Sequence, residues 1–255
     1  VLAGMAVSGW LNTAAATFSI VAVDPATAEV GGAVASCFPA AQIPISALVL
    51  DVHSGTGVIA TQARHDPTNQ RAAGALMDEG ASPQEIVEFV ALADASGDPS
   101  TRQYGAVDLS GGGRSAAYTG DHCVQYAGHL LGPTYAIQGN NLAGSEVLEG
   151  MEAGFLGTAG SLAERLMAAL LAGQSVGADS RCGEWGLSSL SAGITVAQAT
   201  DTPNALQLDL AFATDPRDAA VVDPVSGLHG LFRSWQAAQQ PTVVRDTGAA
   251  SAPAT

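Results

Sequence analysis

Thr17 is the residue whose place in the sequence carries the most chemistry. It directly follows Ala14, Ala15 and Ala16, and small residues at this spacing are typical of the site that a signal peptidase cuts. A cut after Ala16 leaves Thr17 at a new N-terminus. Its free α-amino group, with a pKa of about 7.7–8.0, then lies within reach of its own Oγ and can act as its base. The alternative for Thr17 is an ordinary first residue of a β-strand.

Two serines are expected near Thr17 because of strand geometry. Ser19 lies two residues further along the predicted first strand, so the two-residue period places it on the same face as Thr17. Ser36 ends the predicted partner strand and can approach Thr17 from there. Both are therefore candidate site residues, Ser36 for catalysis and Ser19 for substrate binding, and both also fit as small residues of an ordinary sheet.

Residues 1–16 are predicted to be the remnant of a secretory signal. Residues 1–10 are apolar with small residues, and the alanines of the cleavage site follow. The alternative is a short buried helix or a hydrophobic N-terminal strand. No later run approaches the ~20 apolar residues of a membrane span. The sequence therefore predicts a secreted or periplasmic protein that has no membrane partner once the signal is cleaved.

The charge of the chain excludes several classes of function. Nine basic residues stand against 24 acidic ones, a net charge of −15, and such a chain repels phosphate backbones and anionic lipids. No nucleic-acid partner is therefore expected. Every basic residue is an arginine, which excludes a lysine base, a Schiff-base enzyme and a P-loop with its lysine. The charged fraction of only 13% leaves a homo-oligomer open.

Cysteine and histidine offer a second, weaker chemistry. Asp121, His122 and Cys123 are adjacent and His129 follows, but this spacing matches no strong zinc site. We expect neither a metal nor another cofactor. The three cysteines, Cys37, Cys123 and Cys182, fit one disulfide and one thiol in an exported protein, with partners that the sequence leaves open.

The elements that must position these residues alternate between strand pairs and helix pairs. A hairpin is predicted from Thr17–Asp24 and residues 30–36, with Asp24 closing its turn, and Ser82, Pro83 and Glu85 mark the start of a helix. The other predicted strands are 45–52, 58–62, 103–109, 114–119, 135–138, 190–197 and 206–213, and the predicted helices are 69–79, 82–93, 145–155, 161–172 and 224–236. This order predicts an α+β fold: two mainly antiparallel sheets covered by helices, a four-layer α-β-β-α sandwich. Residues 17–236 form its single domain, and residues 237–255 are a small, polar tail that we expect to be disordered.

Eight motifs of the chain, in order, resemble the domain-of-unknown-function family numbered 1028. They are TFSIVAVD (17–24), GAVASC (32–37), ATQA (60–63), RQYGAVD (102–108), YTG (118–120), YAIQGN (135–140), AERLMAAL (163–170) and GADSRC (177–182). The resemblance spans nearly all of the presumed mature chain. It implies the α-β-β-α sandwich of the N-terminal-nucleophile (Ntn) hydrolases, and it implies the fold more strongly than any reaction.

The resemblance also bears on the base that Thr17 would use. Intracellular relatives typically start Met-Thr-Phe-Ser-Ile, so removal of Met exposes their threonine as signal cleavage would expose Thr17. The residue after Ser36 is often lysine in them but is Cys37 here. The α-amine of Thr17 must then act as base, as in asparaginase-like Ntn enzymes.

Further site residues follow from the resemblance motifs. Gln62, Asn140 and the backbone around Thr119 and Gly120 lie at predicted strand ends or turns and are candidate donors to the oxyanion of an acyl-transfer intermediate. For Gln62 and Asn140, capping of buried backbone is the alternative.

Asp179 and Arg181 lie in a loop between a helix and a strand. In asparaginase-like enzymes such a pair holds the α-amine and α-carboxylate of the substrate, and a mutual ion pair or loop brace is the alternative.

The sequence thus predicts an exported amidohydrolase or peptidase that cleaves the amide bond of a small molecule or peptide through Thr17. The first alternative is a non-catalytic binding or scaffold protein on the same sandwich. The second is an enzyme that uses thiol or metal chemistry around Cys123 and His122.

Overall fold

A computed structural model describes residues 17–39 and 43–239 as an α+β fold with two antiparallel sheets. The strands are β1 Thr17–Asp24, β2 Glu29–Ser36, β3 Leu50–His53, β4 Gly57–Ala63, β5 Arg102–Asp108, β6 Arg114–Thr119, β7 Tyr126–Gly132, β8 Tyr135–Leu142, β9 Ser191–Ala197 and β10 Leu208–Ala213. The helices are α1 Ile45–Val49, α2 Pro67–Asp78, α3 Pro83–Leu92, α4 Glu146–Gly157, α5 Leu162–Gly173 and α6 Pro224–Gln239.

The layers follow the predicted α-β-β-α order. One sheet has the strand order β10-β9-β2-β1-β8-β7 and the other the order β3-β4-β5-β6. Helices α4, α5 and α6 pack on the six-stranded sheet, and α2 and α3 pack on the four-stranded sheet. Strand β1 is central, because β2 and β8 flank it and β4 and β5 face it from the second sheet. The sandwich predicted from the sequence is thereby confirmed.

The alternation of residues along β1 decides which side chains face the space between the sheets. Phe18 and Ile20 belong to the cluster beneath the helices, whereas Val21 and Val23 pack toward the second sheet. Because successive strand residues point to opposite faces, Thr17 and Ser19 point toward the second sheet as well. The candidate nucleophile therefore faces the interior of the sandwich.

The structure corrects one predicted element and adds one strand that was not predicted. Residues 45–52 do not form one strand: Ile45–Val49 is a short helix, and only Leu50–His53 is extended. Ile45, Ser46 and Val49 are all buried. A helix brings residues i, i+1 and i+4 toward one side, whereas a strand would turn Ser46 to the face opposite Ile45 and Val49. Strand β7 was not predicted; it is a half-exposed edge strand without the regular apolar alternation that signals a strand.

The helix ends agree well with the sequence signals. Ser82 Oγ accepts from the Glu85 backbone N–H, and the Glu85 carboxylate accepts from the Ser82 backbone N–H, as the predicted capping box requires. Helix α6 continues to Gln239, so residues 237–239 are helical rather than part of a disordered tail. The predicted signal remnant, residues 1–16, and residues 240–255 lie outside the described residues. Within the described ranges, no helix combines the length and the apolar character needed to cross a bilayer.

An Asp–His–Asp cluster joins β3 to helix α2 and makes stability depend on pH. His53 Nδ1 lies 2.6 Å from Asp78 Oδ1, and His53 Nε2 lies 3.5 Å from Asp51 Oδ2. Asp51 contributes most to raising the pKa of His53 above 6.5, and Asp78 adds to it, while partial burial opposes both. Since the folded state binds the proton more tightly, the stabilisation is complete below pH 6.5 and is lost as the pH rises through the raised pKa.

We therefore expect the free energy of unfolding of the wild type to fall, relative to that of His53→Gln, between about pH 6 and pH 8. Urea unfolding at half-unit pH intervals measures the difference. Gln84→Leu, at an exposed position of α3 that carries no titratable group, is the control and should show no such trend. A wild-type-minus-variant difference that is flat across this range would contradict the assignment to His53.

Candidate functional site

The space between the two sheets is apolar at one end and polar at the other. The apolar end is built from aliphatic side chains such as Val23, Val58 and Val107. The polar end holds buried hydroxyl and amide side chains from β1, β2, β4, β5 and β8: Thr17, Ser19, Ser36, Gln62, Gln103, Gln138 and Asn140. We call these seven residues the polar cluster. Burying so many polar groups costs free energy, so this end of the core is not explained by packing alone.

Thr17 occupies the centre of the polar cluster. In the register of the sheet it lies opposite Ser36 on β2 and opposite Asn140 on β8. Its Oγ1 donates to Ser36 Oγ at 3.2 Å, and the residue is only 1% exposed. The structure thus brings together Thr17, Ser36 and Asn140, three of the four residues predicted for catalysis.

The fourth, Gln62, reaches the same place from the second sheet. Its Oε1 accepts from Ser19 Oγ at 2.6 Å. Its Nε2 lies within donating distance of Thr17 O at 3.3 Å, Gln103 Oε1 at 2.8 Å and Gln138 O at 3.3 Å. Two amide hydrogens are shared among three acceptors, so in this arrangement Gln62 has no N–H left for an oxyanion. It braces the backbone of Thr17 instead.

Gln103 is the central residue that sequence reasoning did not single out. Its Oε1 accepts from Gln62 and also from Asn140 Nδ2 at 3.1 Å. Its Nε2 lies within donating distance of Gly139 O at 2.7 Å and of Gly128 O and Thr119 Oγ1 at 3.0 Å each, so its two hydrogens are shared among three acceptors. Gln103 therefore joins both sheets through one side chain. A polar residue at an inward-facing position of β5, within the RQYGAVD motif, was the available signal.

Two acceptors in the polar cluster have no hydrogen-bond donor among the described residues. They are Gln138 Oε1 and Asn140 Oδ1, both on fully buried side chains. Gln138 Oε1 lies against Gly105, where a Cβ would come within 2.0 Å of it, so glycine leaves room for this amide. Asn140 Oδ1 belongs to the residue opposite Thr17. A buried acceptor without a donor costs about 1–3 kcal/mol, so these two acceptors need an explanation beyond packing.

Replacing Gln103 with leucine removes the acceptor shared by Gln62 and Asn140. We expect the free energy of unfolding to fall by about 1–3 kcal/mol, because buried N–H groups lose their partner. Urea unfolding measures it. The control is Gln84→Leu, an exposed glutamine of α3, which should change stability by no more than about 0.5 kcal/mol. Equal effects of the two substitutions would contradict the bridging role of Gln103.

Thr119 and Gly120 lie at the margin of the polar cluster. Thr119 Oγ1 accepts from Gln103 and lies 2.9 Å from His129 Nδ1. The Gly120 N–H donates to Arg102 O at 2.9 Å. A Cβ on Gly120 would lie 2.2 Å from Ser100 O, so this position needs glycine for space. Thr119 is thus linked to the polar cluster through Gln103, and the Gly120 N–H is already used in a backbone hydrogen bond to β5.

Asp179 and Arg181 form the mutual pair that was the alternative to substrate binding. Arg181 Nε donates to Asp179 Oδ1 at 3.1 Å and Nη2 to Asp179 Oδ2 at 2.9 Å. Asp179 Oδ2 also accepts from the Cys37 backbone N–H at 2.6 Å. Cys37 is in turn bonded to Cys182. Because Asp179 is fully buried, this arrangement fastens the loop beside Ser36 rather than presenting a carboxylate to a ligand.

The thiol and metal alternative has little support in the geometry. Burial raises the pKa of Cys123 to about 11, so its thiol stays neutral and is a poor nucleophile. His122 Nδ1 lies 2.8 Å from Ser100 Oγ. In residues 17–39 and 43–239, no three or more His, Cys, Asp or Glu side chains come together in a way that could hold a metal ion.

Comparison with known proteins gives a family and a fold. A family model described as "Family of unknown function (DUF1028)" matches residues 17–220. The crystal structure of protein SPO2555 from Silicibacter pomeroyi, described by the same family, is similar with a TM-score of 0.68 and 27% identity. The match covers 86% of this chain and 88% of that one. Among curated proteins, none matches the chain.

Proposed function

The chain belongs to the DUF1028 family, and from the surroundings of Thr17 we propose that it is an exported amidohydrolase or peptidase of N-terminal-nucleophile type. Thr17 Oγ is the nucleophile, and its own α-amine, freed by cleavage after Ala16, is the base. The family match begins at Thr17, so residues 1–16 lie outside the region that the family model describes. This agrees with a mature chain that starts at Thr17.

The observation that carries the proposal is the placement of Thr17 in the polar cluster. A threonine whose only role was to form part of a β-strand would not need buried amide side chains around it. Instead Thr17 Oγ1 contacts Ser36, its carbonyl is held by Gln62, and Asn140 lies opposite it. Such a fixed set of dipoles around one hydroxyl is what acyl transfer requires.

The proposed reaction has two steps. In the first, the α-amine of Thr17 takes the Oγ proton, Oγ attacks the amide carbon, and the C–N bond breaks as the leaving amine receives that proton. In the second, the α-amine takes a proton from water as the water oxygen attacks the ester carbon, the bond from that carbon to Oγ breaks, the acyl group leaves as a carboxylic acid, and Oγ receives the proton back. Asn140 is our candidate donor to the oxyanion. Its Nδ2 carries two hydrogens, and among the described residues it donates to one acceptor, Gln103 Oε1. Gln62, Ser19 and Ser36 position Thr17.

A non-catalytic binding protein is the second candidate, and one observation favours it. Thr17 is 1% exposed in the described structure, so a substrate cannot reach it in this arrangement. The two candidates differ in whether Thr17 becomes the N-terminal residue of the mature chain, with a free α-amine. Because signal cleavage would free that amine, secretion is part of the proposal, and the Cys37–Cys182 disulfide supports it because such bonds persist in oxidising compartments.

The test is the intact mass and N-terminal sequence of protein exported by its native route. We expect a chain that begins at Thr17, and we expect it to hydrolyse at least one member of a panel of amide and isopeptide substrates. The same protein with one extra N-terminal alanine is the matched control and should be inactive, because its Thr17 nitrogen is an amide. A mature chain that retains residues 1–16, or equal activity of both forms, would contradict the mechanism.

A further inference from the structure

A cavity of about 890 Å³ lies beside the polar cluster, over one end of β9 and β10. Its walls are mostly apolar and include Ile45, Leu190 and Phe212, with Trp185 contributing a large aromatic ring that is 41% exposed. This volume falls within the range of small-molecule sites, which bury most of a ligand against apolar and aromatic walls. The cavity thus has the size and lining of a ligand site.

The charges in the cavity wall neutralise one another. Asp215 and Arg217 are the charged residues that line it, and Arg217 Nε donates to Asp215 Oδ1 at 2.8 Å. Arg217 lowers the pKa of Asp215 to about 2, so the carboxylate remains ionised and paired. The chain as a whole carries a net charge of −15, which disfavours anionic ligands. These charges fit a ligand group that is itself uncharged.

Two serines on neighbouring strands, Ser191 and Ser36, lie between the cavity and Thr17. Ser191, in the cavity wall, lies opposite Ser36, and Ser36 lies opposite Thr17. Ser191 Oγ donates to Phe38 O at 2.8 Å and lies 3.3 Å from Ser36 O. Neighbouring strands are about 4.8 Å apart, so Ser191 and Thr17 are separated by roughly 10 Å. That is about the length of three extended residues.

We propose that this cavity binds a neutral, apolar group of the amide substrate that Thr17 cleaves, a group placed about three residue lengths from the scissile carbonyl. The proposal rests on the proposed function and adds the substrate class to it. Apolar burial supplies the affinity, and the distance between the cavity and Thr17 selects which bond is presented to Oγ.

Two fluorescent probes that differ by one charged group test the cavity. N-phenyl-1-naphthylamine is neutral, and 8-anilino-1-naphthalenesulfonate adds a sulfonate to a similar ring system. We expect Thr17→Ala protein to bind the neutral probe saturably, at one site, with a dissociation constant at least tenfold below that of the sulfonate. No saturable binding of the neutral probe, or equal binding of the two, would overturn the proposal.

Substitutions locate the probe. Ala211→Trp fills the cavity from β10 and should weaken binding of the neutral probe at least tenfold, and Ala213→Trp, at an exposed position of the wall, serves if the first variant does not fold. Ala75→Trp, on an exposed face of α2 against the other sheet, is the control and should bind normally. Binding that survives both cavity substitutions would overturn the proposal.

The failure of the cavity and the failure of the proposed function have different signatures. Probe binding is measured without the Thr17 hydroxyl, so its loss contradicts the cavity alone. If a Thr17-dependent amidase is found, the neutral probe should raise KM and leave kcat unchanged. Unchanged KM at saturating probe would separate the cavity from the Thr17 site and overturn the proposal.

Discussion

Thr17→Ala is expected to abolish amide hydrolysis by the mature chain while leaving its fold intact. Alanine has no hydroxyl to attack the carbonyl, so the loss should reach roughly 10⁴-fold or more. The cost in stability should be small by comparison, about 1–2 kcal/mol, because the substitution removes a methyl group and the hydrogen bond from Oγ1 to Ser36. Turnover of an amide substrate and urea unfolding, measured on the same preparations, separate the two effects.

Two further threonine substitutions make the result specific. Thr17→Ser keeps the hydroxyl and the α-amine and should retain part of the activity. Thr27→Ala, at an exposed position in the turn between β1 and β2, should retain all of it. If Thr17→Ala turned over substrate at the wild-type rate, Thr17 would not be the nucleophile and the binding-protein function would take its place.

The part of the site that could be predicted from the sequence is the part built by neighbouring strands. Thr17 and Ser19 share a face because strand residues alternate, and the short turn after Asp24 brings Ser36 back beside Thr17. To predict Asn140 near Thr17, it was enough to expect the YAIQGN segment to be a strand of the same sheet. These features depend on local signals, the alternation of residues along a strand and the residues of a turn, which can be recognised in the sequence.

The part that could not be predicted depends on how the two sheets stack. Gln103 lies opposite Gln62 on the neighbouring strand β5. These two side chains reach Gln138 and Asn140 only because the four-stranded sheet faces β8 across the core. No spacing in the sequence predicts these contacts between the sheets. Helix α1 was missed because it has only five residues. It mixes the β-branched Ile45 and Val49 with good helix formers, so local propensity does not separate helix from strand there.

The pairing of Cys37 with Cys182 was equally beyond the sequence, since the two residues are 145 positions apart. Its consequence is the second large effect we expect. A cross-link over so long a loop restricts the unfolded chain strongly, by about 5 kcal/mol in the chain-entropy description. Cys37→Ala/Cys182→Ala should therefore lower Tm by roughly 10–20 °C, and reduction of the wild type should lower it by the same amount.

The matched control is Cys123→Ala, because Cys123 is the one cysteine of the described residues without a disulfide. Its Tm should differ from that of the wild type by only a few degrees, and reductant should lower its Tm by the same amount as it lowers that of the wild type.

The site is expected to remain intact without the disulfide at low temperature, since the backbone N–H of residue 37 still donates to Asp179 in the double alanine variant. Thr17-dependent turnover at 25 °C should then persist in the double variant. If turnover were lost while the chain was still folded, the disulfide would position Ser36 directly and would belong to the site itself.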